Sequence, residues 1–208
     1  MRNTITYALI YLLTFVSCED TSDCCEPPPP PPDTPHFIAL YSIPNALNFS
    51  YSEQSKRFNV GLNSEKDYTQ NDEGYYKYAK LYGDTSFNRS YVDAECLLDT
   101  IESLNIYCSK SFLDKDSAAS LNDYFLTSFY THYYFIQSGY DRTIVDRLYF
   151  RTITEFNNEP IKHLFEPGCM IKFSDSLDLS GLSGPYRFTL EYNSLNGTTY
   201  TSSATVDF

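Results

Sequence analysis

Few residues have a type and spacing that suggest chemistry. Cys18 stands directly after the small residue Ser17, the arrangement a signal peptidase accepts when the thiol behind the cut is to be acylated. The three histidines, His36, His132 and His163, are too far apart for two to share a helical turn, so no HExxH-type zinc pair exists. There is no G-x-S-x-G elbow and no phosphate-cradling glycine loop. Cys24 and Cys25 are adjacent rather than spaced as CxxC, and no histidine lies near them at zinc-ligand spacing. Cys108 or Cys169 would act as a nucleophile only if the fold brought a histidine beside it. The sequence therefore predicts no catalytic residue, no metal ligand and no cofactor.

Two acidic clusters invite a calcium reading: Asn63, Glu65, Asp67, Asn71, Asp72 and Glu73, and then Asp175 with Asp178. Neither has the spacing or the glycine of an EF-hand loop, and solvated loops are the plainer expectation. His132 lies among tyrosines and is expected to pack in the ordinary way. The aromatic run Tyr124, Phe125, Phe129, Tyr130, Tyr133, Tyr134 and Phe135 is more informative. Neighbours on a strand point to opposite faces, so these rings cannot all enter one core. Either both faces are covered, or some rings, with Tyr130, Tyr133 and Tyr134 the candidates, meet a protein or sugar partner. The absence of Trp weighs against a sugar platform.

The elements that position Cys18 are legible. Arg2 is followed by the uncharged, mostly apolar run from Tyr7 to Val16. A bilayer span needs ~20 apolar residues, whereas a secretory signal needs ~7–15. Residues 1–17 thus read as a signal peptide, and the mature chain is tethered through a lipid on Cys18 rather than spanning. Residues 18–35 form a linker, with six consecutive prolines from Pro27 to Pro32. Proline fixes φ and donates no backbone hydrogen bond, so this run forms a polyproline II spacer, at ~3.1 Å per residue roughly 20 Å long.

Without residues 1–17 the chain carries 14 basic and 27 acidic side chains, a net charge of −13. Such a surface repels phosphate backbones and anionic lipids, so nucleic acid is not an expected partner. With Cys18 acylated, five cysteines remain: Cys24, Cys25, Cys96, Cys108 and Cys169. Cys96 and Cys108 could face each other across a hairpin, but sequence does not decide the pairing. Oligomeric state is equally open.

Residues 36–208 can hold one domain with its own core. They are rich in Tyr, Phe, Thr and Ser, which suit pleated, half-buried surfaces. Tyr186, Phe188, Leu190 and Tyr192 alternate with polar residues, and a turn at Asn196-Gly197 leads into a second strand, Thr198 to Phe208. Further strands are expected over Phe37–Ile43, Tyr91–Cys96, Ile101–Tyr107, Leu148–Thr154 and Cys169–Phe173. A short helix capped by Ser117 and running through Ala118, Ala119, Leu121 and Phe125 should lead into a strand. The expected fold is mostly β: an antiparallel β-sandwich with one or two short helices.

Several of these features carry a resemblance. Phe15-Val16-Ser17-Cys18 resembles a bacterial lipobox, with Phe15 where leucine is usual. The acidic residues after Cys18 are similar to the export signal of Bacteroidetes surface lipoproteins. Ser180-Gly181-Leu182-Ser183-Gly184-Pro185-Tyr186-Arg187-Phe188 and the hairpin after it look like the last two strands of bacterial immunoglobulin-like modules. With the Cys24-Cys25-Glu26-Pro27 linker and Ser120-Leu121-Asn122-Asp123-Tyr124-Phe125, the chain resembles an uncharacterised Bacteroidetes lipoprotein family. That resemblance implies an immunoglobulin-like fold and outer-membrane attachment, and no activity. The expected function is a lipid-anchored, non-catalytic binding module of the cell envelope. A subunit of an outer-membrane nutrient-uptake or fimbrial assembly is the second reading, and a hydrolase with an unrecognised site the third.

Overall fold

A computed structural model describes residues 36–87, 94–144, 150–160 and 162–208. The signal segment, Cys18 and the proline linker lie outside them. Among the described residues the chain is mostly β, with two sheets. Strands β1 (Ile38–Ser52), β2 (Arg57–Thr69), β3 (Ala94–Leu97), β5 (Phe125–Thr131), β6 (Arg151–Thr152) and β7 (Phe165–Phe173) form a six-stranded sheet ordered β3-β1-β2-β7-β5-β6. Strands β4 (Ile101–Cys108), β8 (Pro185–Ser194) and β9 (Thr199–Asp207) form a second sheet ordered β4-β8-β9. The β1–β3 pair is parallel and the other pairs are antiparallel.

The two sheets bury one core between them. Phe49, Phe58, Val60, Phe125 and Ile171 of the larger sheet meet Leu104, Ile106, Phe188, Leu190 and Val206 of the smaller. This is the expected β-sandwich. Immunoglobulin constant-type sandwiches divide seven strands four and three; here the described strands divide six and three, with a parallel pair at one edge.

The C-terminal hairpin is present, with Tyr186, Phe188, Leu190 and Tyr192 all buried. Its turn differs from a two-residue Asn-Gly turn. The Gly197 amide bonds to the Ser194 carbonyl at 2.9 Å, and the Ser194 amide to the Thr198 carbonyl at 2.9 Å, so the loop is Leu195, Asn196 and Gly197. Only Gly197 has positive φ, at 88°, which is a type I turn closed by a glycine in the left-handed region.

The expected strand Phe37–Ile43 is the start of the longer β1, and its hairpin partner β2 lies where no strand is expected. The turn between them, Glu53 to Lys56, has no glycine, and Lys56 itself takes φ of 54°. The ladder is irregular between Ile43 and Ala46, where Asn45 has no partner on β2 and Glu65 none on β1. One extra residue in a strand turns the following side chains to the other face. Hence Tyr41 and Phe49, both odd-numbered, enter different cores. The second core lies beneath helix α1 (Glu73–Tyr82) and the short helix α2 (Tyr133–Gln137), and includes Ile38, Tyr41, Tyr75, Ala79, Cys96 and Ile136.

Two local expectations are corrected. Of the strand expected over Leu148–Thr154, Leu148 and Tyr149 lie outside the described residues, and the rest is strand only at Arg151–Thr152, because Thr152 and Glu155 form a reciprocal capping box that starts helix α3 (Ile153–Asn157). Ser117 caps no helix: Ala118 has φ of 62°, and the helical turn is a 3-10 segment, Asn122–Tyr124, that does lead into β5.

Candidate functional site

Strand β5 sorts the aromatic run. Phe125 and Phe129 enter the intersheet core, while Tyr130 is half-buried with its ring 4.7 Å from that of His132. The strand ends because the Thr131 hydroxyl accepts the Tyr133 amide at 3.1 Å and donates to the His163 carbonyl at 2.9 Å, which turns the chain into α2. Tyr133 is half-buried, 5.3 Å from His163 and 5.5 Å from Tyr134, and Tyr134 is 45% exposed. Phe135 instead packs on Phe37 at 4.8 Å. Tyr133 and Tyr134 thus share one surface, and Tyr130 belongs to the surroundings of His132.

His132 is only 4% exposed, flanked by Phe37 and Tyr130, with Nε2 3.5 Å from a Glu166 carboxylate oxygen. Burial pushes its pKa down to about 4. The desolvation of the ring outweighs Glu166, whose side chain is half in solvent and so a screened partner. His163 is also lowered by burial, and His36 meets the Asp84 carbonyl. The three histidines stay apart.

The cysteines are separated as well. Cys96 is in the second core with Sγ 3.6 Å from the Leu164 carbonyl, and Cys108 is in the intersheet core, so no hairpin brings them together. Burial pushes the Cys169 thiol up to about 12, and its side-chain neighbour at 3.7 Å is the Thr127 hydroxyl. Such a thiol is not a thiolate at neutral pH. Cys24 and Cys25 lie outside the described residues.

The acidic clusters resolve into ordinary elements. Asn63, Glu65 and Asp67 are on β2, and Asp72 accepts the Thr69 amide and hydroxyl at 2.8 and 2.9 Å just before α1. Asp175 pairs with Lys172 at 2.7 Å, and Asp178 accepts from Ser180. Among the described residues no group of three or more His, Cys, Asp or Glu is placed to hold a metal ion.

An open groove of about 620 Å³ lies at one end of the sandwich, where the β1–β2 turn, the end of β7 and the end of β9 meet. Its apolar lining includes Tyr51, Phe173, Leu177, Leu179, Val206 and Phe208. Lys56, Arg57, Lys172, Asp175 and Asp207 also line it. Phe58 pairs with Ile171, which puts Arg57 of β2 across from Lys172 of β7. Both cations approach one ring: the Arg57 guanidinium carbon is 5.8 Å and Lys172 Nζ 5.1 Å from the centroid of Phe150. A second cavity of about 400 Å³ is lined by Ile43, Tyr78, Leu98, Asp99 and Leu195, with the Asp99 carboxyl raised by burial and bonded by the Ser194 hydroxyl.

No family model, curated protein or solved structure matches the chain. The groove therefore has to be read from its own chemistry. Sequence reading missed it because its cations come from strands joined only by long-range pairing. The available signal was the cations beside aromatic strand residues, Lys56 and Arg57 before Phe58 and Lys172 between Ile171 and Phe173.

Proposed function

We propose that this protein is a lipid-anchored component of the cell envelope, held at the outer membrane through Cys18, whose β-sandwich binds another molecule and performs no chemistry. The signal-like run before Ser17-Cys18 and the proline spacer support the anchor. The observation that carries the binding role is the roughly 620 Å³ groove, in the size range of small-molecule sites, ~300–1,000 Å³. Its lining combines an apolar wall with a few charged residues, the usual makeup of a recognition site.

The histidines and thiols are consistent with this reading: His132 is neutral at physiological pH, and the Cys169 thiol is protonated. The test has two arms. Labelled fatty acid should enter the protein, and Cys18→Ala should move it from the membrane to the soluble fraction; a variant that fractionates like the parent removes the anchor. Pull-down from solubilised envelope should recover a bound molecule. Stoichiometric recovery of membrane proteins would instead favour a subunit of an outer-membrane assembly, and turnover in a broad hydrolase screen would overturn the non-catalytic role.

A further inference from the structure

Arg57 has an unusual environment for a half-buried guanidinium. Its side chain offers five N–H donors, yet its hydrogen-bond partner is the Met170 thioether, at 3.7 Å from Nη1. Thioether sulfur is a weak acceptor. Among the described residues no carboxylate forms an ion pair with Arg57.

Its cross-strand neighbour is another cation. Like charges directly opposite on a sheet repel, and Arg57 and Lys172 meet at the Phe150 ring in a protein whose net charge is −12. Lys172 is relieved by Asp175, but the Asp175 side chain is 81% exposed, and ion pairs of that kind are weak. Lys56 is likewise paired to an exposed partner, Glu53, at 2.8 Å. Among the described residues, the groove thus has one cation with no anionic partner, Arg57, and two held by exposed carboxylates, Lys56 and Lys172.

We propose that the groove binds a small amphipathic monoanion: a carboxylate or similar oxyanion carrying an alkyl or aryl body. The oxyanion bridges Arg57 and Lys172, since a guanidinium presents paired donors that match a planar carboxylate. The body lies along Tyr51, Phe173, Leu179 and Phe208. Asp175 and Asp207 in the lining disfavour a polyanion such as nucleic acid, which would carry phosphates past them. This inference rests on the reading of the chain as a binding module and names the ligand class for it.

The test titrates octanoate, octanol and octylammonium into the full chain held in zwitterionic nanodiscs, with empty nanodiscs as the blank. Octanoate should bind one to one, and octanol and octylammonium at least about tenfold more weakly, as expected when one charge-assisted hydrogen bond is lost. Arg57→Gln should weaken octanoate by about tenfold and Arg57→Lys by less, with an unchanged circular dichroism spectrum. Equal binding of octanol, or no effect of Arg57→Gln, overturns the proposal. Attachment to anionic vesicles without octanoate binding also overturns it, in favour of a lipid surface. If octanoate fails while the pull-down recovers a partner, this inference falls and the binding-module reading stands; if both fail, both fall.

Discussion

The side chain of Asp84 accepts the backbone amide of Ile38 at 2.8 Å, and its other oxygen accepts that of Phe37 at 2.8 Å and the Tyr140 hydroxyl at 2.8 Å. Asp84 is fully buried, and it arrives there because α1 ends in a Schellman turn. Gly83, at φ 75°, lets the Asp84 amide bond back to the Ala79 carbonyl at 2.8 Å. The start of β1 is thereby clamped by a carboxylate far away in sequence. Nearby Tyr41, Tyr75 and Tyr140 have hydroxyls raised first by burial and then by Asp84, through its charge at Tyr41 and Tyr75 and through the hydrogen bond at Tyr140, so all stay protonated. Asp84→Ala leaves two buried amides and the half-buried Tyr140 hydroxyl without their acceptor and should cost about 3 kcal/mol, and Tyr140→Phe about 1 kcal/mol. Urea unfolding midpoints measure both; equal, small losses would remove the clamp.

Phe58 is the centre of the intersheet core. It is fully buried, with ring centroids of Phe49 at 4.8 Å, Phe125 at 5.7 Å, Phe173 at 5.5 Å and Phe188 at 5.8 Å. Both sheets contribute to that cage, so Phe58→Ala opens a cavity that neither can collapse into alone. A loss of about 3–5 kcal/mol is expected, and Phe58→Leu should cost less. Denaturant titration decides it.

His132 should make stability depend on pH in the acid range. Its folded pKa is depressed to about 4 by burial from an ordinary 6.5. Between those values the unfolded chain binds a proton that the folded chain refuses, so stability falls as pH drops through 6.5 and levels off below 4. The full effect is about 3 kcal/mol. Glu166 works in the opposite direction, because burial and then Glu95 raise its carboxyl and the folded state takes its proton first. Comparing the parent with His132→Phe at pH 7.5, 5.5 and 4.5 isolates the histidine: the variant should lose less stability on acidification.

Gly197 carries the φ of 88° that closes the β8–β9 turn. No side chain stands within 4 Å of where its Cβ would be, so Gly197→Ala tests backbone conformation alone. The left-handed region costs an alanine about 1–2 kcal/mol. Asn196→Ala should cost less, because Asn196 has ordinary negative φ and contributes through its side-chain bond to the Thr198 amide at 2.8 Å. Equal losses would contradict the turn geometry.

The strands that could be read in advance were those whose alternation lies within one short stretch, such as Tyr186 to Tyr192 and Ile101 to Tyr107. Strand β2 escaped because its outer half, Asn63 to Asp67, is polar on both faces and owes its strand form to backbone pairing with β1. Helix α1 escaped because only Tyr75 and Ala79 mark its buried face, and its tyrosines read equally well as strand.

Local chemistry, then, settled the β-rich class and the C-terminal hairpin, and it is what makes an acylated Cys18 the expectation, since each depends on residues close together along the chain. The two separate cores, the clamp of Asp84 on Ile38 and the meeting of Arg57 with Lys172 came from the folded molecule. Each joins residues far apart in the chain, and such a pairing is set by sheet register and by a bulge that turns side chains to the other face. The hydrophobic alternation of a strand fixes which of its faces is buried, but which distant strands become neighbours, as β2 and β7 do, is decided only when they assemble.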